Sequence, residues 1–338
     1  MAAMTLWERL LPDLPADETA WRRFVRTVLI VFGGGLLAIY AALVVIDPYD
    51  TGRFPTFMPA GITYEHQYIN NASRGRNPNF NAAIFGNSHG QLISPIRLAD
   101  ATGLKFIQMT SPGSGPREQL AYMHWFVRHH PDVSAVVLTA DEKWCTHNPA
   151  LPALYQFSPW LVGDSNMAYL AHILSTRSIA AARRRVAMAL GREEPYDPIG
   201  YWDYETGKAW NYHPLLDQQP PRGVATAPPA NRFFPAIDAL DATLAGLPKT
   251  LPFVIVMAPQ YYLMLPESGS TLANEMAACK SALAERVAGR TRSGFLDFLR
   301  DTATARNPEN FMDAEHYRHD VARFLEGQIA QVLGNSAR

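Results

Sequence analysis

A serine between two glycines lies directly after the first short apolar run of the soluble part of the chain. The run 82–85 (AAIF) is followed by residues 86–90 (GNSHG). In open α/β sheets, ligands bind beyond the carboxyl ends of the strands, and Gly86 and Gly90 permit the unusual backbone angles of a tight turn there. Ser88 is therefore a candidate nucleophile. A turn of small residues without a catalytic role is the alternative interpretation.

A serine nucleophile needs a general base, and the base needs a carboxylate that orients it. Near the end of the chain, Asp313 and His316 lie three residues apart, just before the last helical pattern. We expect His316 to take the proton of Ser88 and Asp313 to orient the imidazole. His319 is a nearby competitor, since a histidine at the start of a helix is often only a surface residue.

The stretch 111–116 (SPGSGP) follows the second apolar run. A glycine-rich turn at that place can supply a backbone N–H to an oxyanion, beside the N–H of Ser88. Gly113 and Gly115 are the candidates for this contribution, and Asn87, next to the nucleophile, is a further candidate for oxyanion or substrate binding. An ordinary loop that leads into a capped helix is the alternative.

The same residue types do not predict a metal centre. His316 and His319 could share one helix face, but no third-ligand motif accompanies them. The two cysteines, Cys145 and Cys279, are not in a CxxC pair, so zinc through thiolates is not expected. We expect no metal and no soluble cofactor. The cysteines are interpreted either as one disulfide in an oxidising compartment or as two buried free thiols.

Strands and helices must alternate to bring these residues together. Apolar runs suited to buried strands occur near residues 82–86, 104–109, 135–139, 252–258 and 294–298. Helical stripes lie before the last three runs and at the C-terminus. This alternation predicts a mainly parallel α/β sheet, with Ser88 and the Asp313–His316 pair at its carboxyl edge. Residues 148–229 interrupt the pattern and are interpreted as an insertion or cap. Residues 47–81 lack periodicity and are expected to be irregular.

The uncharged apolar stretch Thr27–Ile46 predicts a transmembrane helix. Its 20 residues span about 30 Å of hydrocarbon as a helix. A buried core helix is the alternative, while a cleaved signal peptide is disfavoured because no small-residue cleavage site follows. The positive-inside rule leaves residues 1–26 cytoplasmic and residues 47–338 outside. Its basis is the set of basic residues before the stretch, Arg9, Arg22, Arg23 and Arg26, against only Arg53 closely after it.

Charge and composition limit the remaining classes of function. The chain has 338 residues with 48% hydrophobic content, which indicates a globular protein rather than a disordered one. Its net charge of −1 gives no broad attraction to nucleic acid, so no nucleic-acid partner is expected. An arginine cluster within the insertion could contact anionic lipid or substrate, or it could be an ordinary solvated helix face. The cluster comprises Arg177, Arg183, Arg184, Arg185 and Arg192.

Together these motifs resemble the SGNH or GDSL hydrolase superfamily. That family has a nucleophilic serine in a GDS-type block after its first strand, a glycine after the second strand and a DxxH motif near the C-terminus. The matching residues here are Ser88, Gly113 or Gly115, and Asp313 with His316. The resemblance implies a flavodoxin-like, three-layer α/β fold, preceded here by one transmembrane helix.

The resemblance covers about residues 80–335 and has two departures. GNS replaces GDS, which is a mild change. After the third strand, residues 139–145 read TADEKWC, so the family's GxND block and its asparagine oxyanion donor are missing. The G-x-S-x-G elbow of α/β-hydrolases is a weaker match, because that fold places several strands before its nucleophile.

Membrane-anchored proteins that move acyl groups on cell-envelope polysaccharides have a similar layout. The resemblance implies a serine-dependent ester hydrolase or O-acyltransferase outside the cytoplasmic (inner) membrane. An acylated glycan would be its substrate, and a membrane acyl donor would be its partner in a transfer reaction. The alternative is a noncatalytic envelope protein that binds glycan or a membrane partner through aromatic residues of the insertion. These are Trp202, Tyr204, Trp210 and Tyr212.

Overall fold

The computed structural model of the chain describes residues 18–63, 66–151, 157–196, 198–208 and 233–334. The aromatic residues Trp210 and Tyr212 of the insertion and its Pro-rich part, residues 214–229, lie outside these ranges, as do residues 1–17.

Five parallel strands form a sheet within the described residues, which confirms the predicted fold class of a parallel α/β protein. The sheet has the order β2-β1-β3-β4-β5. The strands are β1 (Ala82–Gly86), β2 (Phe106–Gln108), β3 (Ala135–Ala140), β4 (Phe253–Met257) and β5 (Gly294–Asp297). Each lies within or close to its predicted run. The strand order reverses between β1 and β3, and ligands bind at the carboxyl side of such a reversal.

The helices of the described residues connect and cover these strands. They are α1 (Glu18–Ile46), α2 (Gln67–Arg74), α3 (Pro95–Thr102), α4 (Pro116–His129), α5 (Pro159–Val162), α6 (Asn166–Ile173), α7 (Thr176–Ala189), α8 (Pro235–Ala245), α9 (Thr271–Val287), α10 (Ala303–Arg306) and α11 (His319–Gly334). Single 3₁₀ turns occur at Ser88–Gly90, Glu142–Cys145, Tyr262–Met264 and Pro308–Asn310.

The core lies on both faces of the sheet. Along β1, Ala83 and Phe85 pack on one side, against residues of α4, α8 and α9. Ala82 and Ile84 pack on the other side, with residues of α3 and α11. All of β1 is buried, as expected for a parallel strand covered on both faces.

Helix α1 is long and apolar enough to cross a membrane, with a mean hydropathy of 2.6 in its most apolar window. Only 6% of that window is buried, so α1 does not have the surroundings of a core helix. The helix begins at Glu18, nine residues before the predicted start at Thr27. Hydrophobicity indicates only the apolar part of the helix. The more polar turns before Thr27 are also helical, and they contain an ion pair of 2.6 Å between Arg22 and Glu18.

The segment between α1 and β1 is not irregular throughout, because it contains α2. The sequence pattern did not reveal this helix, since many of its buried side chains are polar, including Gln67, Asn70 and Asn71. The helix is fixed by tertiary hydrogen bonds. The Trp125 Nε1–H donates to the Ala72 carbonyl at 2.9 Å.

The described part of the insertion packs on the rest of the protein. It contains α6 and α7, which contact the C-terminal end of α1. The Tyr40 hydroxyl of α1 donates to the Leu170 carbonyl of α6 at 3.0 Å. Farther along, the Gln108 N–H of β2 donates to the Ile199 carbonyl at 2.8 Å, so the insertion also reaches the sheet.

The two cysteines form a disulfide. Cys145 ends the 3₁₀ turn after β3, and Cys279 lies in the middle of α9. Of the two interpretations that the sequence left open, the structure has the disulfide. It ties the turn beyond the carboxyl end of β3 to a helix that covers the sheet.

Candidate active site

Ser88 lies at the carboxyl end of β1, where the strand order reverses. Every residue from Ala82 to Pro95 is buried except Ser88, which is partly exposed. Ser88 begins a 3₁₀ turn that is capped by Asn87, whose side-chain oxygen accepts the His89 N–H at 3.0 Å. The sequence thus places one accessible hydroxyl on an otherwise buried turn.

The two glycines that flank this turn are needed for different reasons. Gly86 has a φ of +148°, and a Cβ there would lie 1.7 Å from the Thr139 Oγ1 atom of β3. A Cβ at Gly90 would lie 2.5 Å from the same atom, although the backbone angle of Gly90 is not in the region that favours glycine. The expectation of unusual backbone angles is therefore confirmed for Gly86 only. At Gly90, glycine is required because a larger side chain would collide with Thr139.

Asp313 and His316 form a hydrogen-bonded pair in the turn before α11. The His316 Nδ1 atom lies 2.9 and 2.8 Å from the two carboxylate oxygens of Asp313. The Asp313 Oδ1 atom also accepts the backbone N–H groups of Glu315 and His316, at 2.9 and 2.8 Å. Burial alone would raise the pKa of Asp313, but the hydrogen bond and charge of His316 outweigh it, so the pKa is lowered. The pairing leaves His316 Nε2 facing away from the carboxylate.

The Asp313–His316 turn packs against the Ser88 turn. The rings of His89 and His316 have centroids 5.9 Å apart, and the buried Tyr317 hydroxyl donates to the His89 carbonyl. Within the described ranges, no hydrogen bond joins Ser88 Oγ to His316. The structure thus brings the two turns together, and the Ser88–His316 hydrogen bond stays a prediction.

The three oxyanion candidates differ in what their N–H groups already do. The Gly115 N–H donates to the Glu118 carboxylate at 3.0 Å, and the side-chain amide of Asn87 is buried and donates to Asp141. Gly113 is exposed, and its N–H makes no hydrogen bond to the described part of the chain. Its carbonyl accepts the Lys143 ammonium at 2.8 Å, which fixes the loop. Gly113 is therefore the candidate whose N–H remains accessible.

Asp141, directly after β3, lies beside this site and was noted in the sequence only where an asparagine was missing. Its carboxylate accepts the Asn87 side-chain amide and the Lys143 backbone N–H, the latter at 3.1 Å. Burial, followed by the nearby charge of Glu142, raises the pKa of Asp141 to about 7. The sequence signal for Asp141 is an acidic residue directly after a buried strand, at the point where the strand order reverses.

His89 was also missed, although it belongs to the GNSHG turn itself. It is 5% exposed, and its Nε2 atom has no hydrogen-bond partner among the described residues. Burial, with the positive charges of His316 and Lys143, lowers the pKa of His89 to about 3. This imidazole is therefore neutral at physiological pH, and its Nε2 atom is a buried polar group in the turn that carries Ser88.

His319, the competitor of His316, is held elsewhere. Its ring nitrogens lie 3.0 Å from Asp203 and 3.1 Å from Glu205, and its backbone N–H donates to Glu205 at 2.6 Å. His319 thus attaches residues 203–205 of the insertion to the start of α11. Tyr204, between those two acids, has its ring centroid 5.3 Å from that of His316.

Comparison with protein-family models, with curated proteins and with solved structures finds no match for this chain. No cluster of three or more His, Cys, Asp or Glu side chains suited to a metal ion occurs in the described ranges. The function is therefore inferred from the geometry around Ser88.

Proposed function

We propose that the chain is a membrane-anchored, SGNH-like ester hydrolase or O-acyltransferase that acts on acyl groups of cell-envelope glycans. One observation carries the proposal. Ser88 is the accessible residue of a buried turn at the reversal point of the sheet, and a carboxylate-oriented histidine lies on the adjoining turn. A nucleophile, a base and an orienting acid are the groups that acyl transfer through a serine requires.

The proposed roles are those of a serine, a histidine and a carboxylate in acyl transfer. Ser88 Oγ attacks the acyl carbonyl, and His316 Nε2 takes the hydroxyl proton. His316 then returns the proton to the leaving alcohol, which gives an acyl-serine and a free hydroxyl group. Water or an acceptor hydroxyl releases the acyl group in the second half of the reaction. Asp313 keeps the proton on Nδ1 and stabilises the imidazolium.

The oxyanion would be held by the backbone N–H groups of Ser88 and Gly113. Asp141 stands near the place of the asparagine donor of the SGNH family. A buried carboxylate opposes a nearby oxyanion when it is ionised, whereas its protonated form does not. The raised pKa of Asp141 thus makes the site compatible with the proposed chemistry near neutral pH and below.

The location is supported by two independent features. Basic residues precede the apolar part of α1, which favours a cytoplasmic N-terminus. The Cys145–Cys279 disulfide is typical of an oxidising compartment outside the cytoplasm.

A fluorophosphonate probe tests the proposal directly on the purified full-length protein. We expect labelling at Ser88, located by peptide mass spectrometry. Ser88→Ala should abolish the labelling, and His316→Ala should slow it strongly, because the hydroxyl is not activated without its base. His172→Ala, a histidine exposed on α6, is the matched control and should label at the wild-type rate.

A noncatalytic envelope protein is the second candidate, favoured by the absence of a Ser88–His316 hydrogen bond in the described structure and by the Asp141 carboxylate. It predicts no labelling of folded wild-type protein at Ser88. That result, with the fold verified by circular dichroism, would reject the catalytic proposal.

A further inference from the structure

Helices α6 and α7 pack against the C-terminal end of α1, where the helix is no longer exposed on all sides. The side chains of α1 from Trp21 to Ile39 are exposed with one exception. From Tyr40 onward the helix contacts the rest of the protein, and Leu43 is 2% exposed. The contacts of this last part of α1 are with α6 and α7.

A buried polar junction fixes these helices to the end of α1. The Asp47 carboxylate, 1% exposed, accepts the Tyr169 hydroxyl of α6 at 2.8 Å. The buried Arg185 of α7 donates to the Asp47 carbonyl, and Tyr49 shares a hydrogen bond of 3.0 Å with Ser178. Because each partner is buried, α6 and α7 keep one orientation relative to α1.

The depth of this junction places the two helices at a membrane boundary. If the hydrocarbon covers the apolar stretch Thr27–Ile46, its outer limit is near Ile46. Tyr40, which bonds to α6, lies six residues or about 9 Å before that limit. Interfacial helices are buried by about 5–10 Å in the boundary between headgroups and acyl chains.

Both helices expose apolar side chains. Met167 and Ala171 of α6, and Leu174 directly after it, are exposed at spacings of four and three residues, and Met167 is 75% exposed. Ile179 of α7 and Leu190, directly after its last residue, are 46% and 62% exposed. The Leu190 N–H still donates to the Val186 carbonyl at 3.0 Å, so the eleven-residue spacing puts both side chains on one face. Exposure of these apolar side chains to water is unfavourable.

The charge of this region complements an anionic surface. Residues 165–192 contain five arginines and no acidic residue, although the exposed Glu193 and Glu194 follow directly. Arg185 is buried and ion-paired with Asp50, so the exposed positive charge on α7 comes from Arg177 and Arg183. Arg177 and Arg183 are exposed and form no ion pair within the described residues. Arg183 shares the face of Ile179, so apolar and basic groups alternate as in interfacial helices.

We propose that α6 and α7 form an interfacial platform that rests in the headgroup region of the bilayer crossed by α1. Met167, Leu174, Ile179 and Leu190 enter the acyl boundary, while Arg177 and Arg183 contact the phosphates of anionic lipids. This inference depends on the part of the proposed function that makes α1 a membrane span. It does not depend on catalysis at Ser88. The platform holds the protein at a fixed orientation to the membrane surface.

Depth-dependent fluorescence quenching tests the platform with full-length protein in vesicles of phosphatidylcholine and phosphatidylglycerol. Since both native cysteines are in the disulfide, an added cysteine is the sole free thiol. An environment-sensitive dye at Met167→Cys or Leu190→Cys should show blue-shifted emission and should be quenched by nitroxides on lipid acyl chains. Reversing the platform charges with Arg177→Glu and Arg183→Glu should reduce that quenching, as should high salt.

Two further labels make the outcomes distinguishable. Phe32→Cys, in the middle of α1, should be quenched in any protein with an inserted anchor. Phe324→Cys, exposed on α11 on the opposite face of the sheet, should show the emission of a dye in water. Quenching at Phe32 without quenching at Met167 and Leu190 would overturn the platform alone and would indicate a protein partner or solvent on this face. A dye at Phe32 that is not quenched would overturn the anchor as well, and fluorophosphonate labelling at Ser88 is independent of both.

Discussion

Ser88 and His316 act as one unit in the proposed mechanism, because the hydroxyl is a weak nucleophile without its base. Ser88→Ala and His316→Ala should each lower the esterase or transferase activity by about 10⁴-fold or more, and the double variant should lose little beyond either single one. Asp313→Asn should impair turnover less. Initial rates on an activated acyl ester would measure these effects.

His319→Ala separates chemistry from packing. Because the His319 ring lies between Asp203 and Glu205, this change should lower the thermal stability while leaving the rate per folded molecule close to wild type. If loss of His319 abolished turnover and loss of His316 did not, the choice of histidine would be wrong.

Asp141 should make the stability of the protein depend on pH. Its pKa is raised from 3.8 to about 7, so the folded state holds a proton that the unfolded chain has lost. The stabilisation is complete below about pH 4 and decreases by about 1.4 kcal/mol per pH unit until about pH 7. Asp141→Asn cannot titrate, so its free energy of unfolding should fall less over this range. Thermal unfolding of both proteins across the range measures the difference.

Asp132→Asn is the control for that experiment, since Asp132 is exposed in the turn before β3. It should follow the wild-type pH profile. Parallel profiles for Asp141→Asn and wild type would contradict a raised pKa at Asp141.

At the scale of residues, the sequence indicated the candidate serine and the pair near the C-terminus because short motifs are local. Asp313 and His316 meet through a turn of four residues, so their spacing alone predicts the contact. Asn87 and Asp141 meet across two strands that are 54 residues apart in the chain. No local pattern indicates such a pairing, and Asn87 was therefore given an oxyanion role while its amide is bound to Asp141.

The close approach of β1 and β3 gives a prediction at the scale of elements. Gly86→Ala should destabilise the fold by about 3 kcal/mol or more, because a Cβ meets Thr139 Oγ1 at 1.7 Å and the φ of +148° is unfavourable for alanine. The shift in thermal unfolding temperature measures it. Gly327→Ala, exposed in α11 with no neighbour around its added Cβ, should instead stabilise by about 0.5–1 kcal/mol. An equal response of the two variants would contradict the packing argument.

The strands were predictable because parallel strands are buried on both faces and read as continuous apolar runs. β2 is shorter than its run, since only Phe106–Gln108 pairs with β1. Helix α2 was not predictable, because its buried face is polar and its hydrogen bonds come from distant residues such as Trp125. Periodicity detects an apolar face and fails where a helix is held by polar contacts.

The disulfide connects two parts of the molecule that are 134 residues apart in sequence. Cross-linking so long a loop restricts the unfolded chain, so Cys145→Ser with Cys279→Ser should cost about 2–5 kcal/mol of stability. Thermal unfolding with and without a reductant measures the effect. Wild type should lose stability when reduced, and the double variant should not respond. A wild-type protein insensitive to reductant under unfolding conditions would show that the bond is not formed.

The predicted orientation of the whole molecule rests on charges at one end of α1. Four arginines precede the apolar stretch, and three of them are exposed in the first turns of α1. The acids after it, Asp47 and Asp50, are buried in the junction with the rest of the protein. They contribute little to orientation, which the basic residues decide.

A periplasmic-type reporter fused after Arg338 should therefore be active, and a reporter that works only in the cytoplasm should be silent.

Replacing Arg22, Arg23 and Arg26 by glutamate should weaken this preference, because those arginines supply most of the asymmetry. Replacing Arg300, Arg318 and Arg323 in the same way is the matched control and should leave it unchanged, since long domains translocate largely regardless of their charge. The disulfide gives a second measurement on the same fusions, because disulfides form and persist in oxidising compartments and are rare in the cytosol. A C-terminus in the cytoplasm with reduced Cys145 and Cys279 would place the Ser88 site on the wrong side of the membrane for an envelope glycan. That result would reject envelope glycans as the substrate class but would be compatible with esterase activity at Ser88.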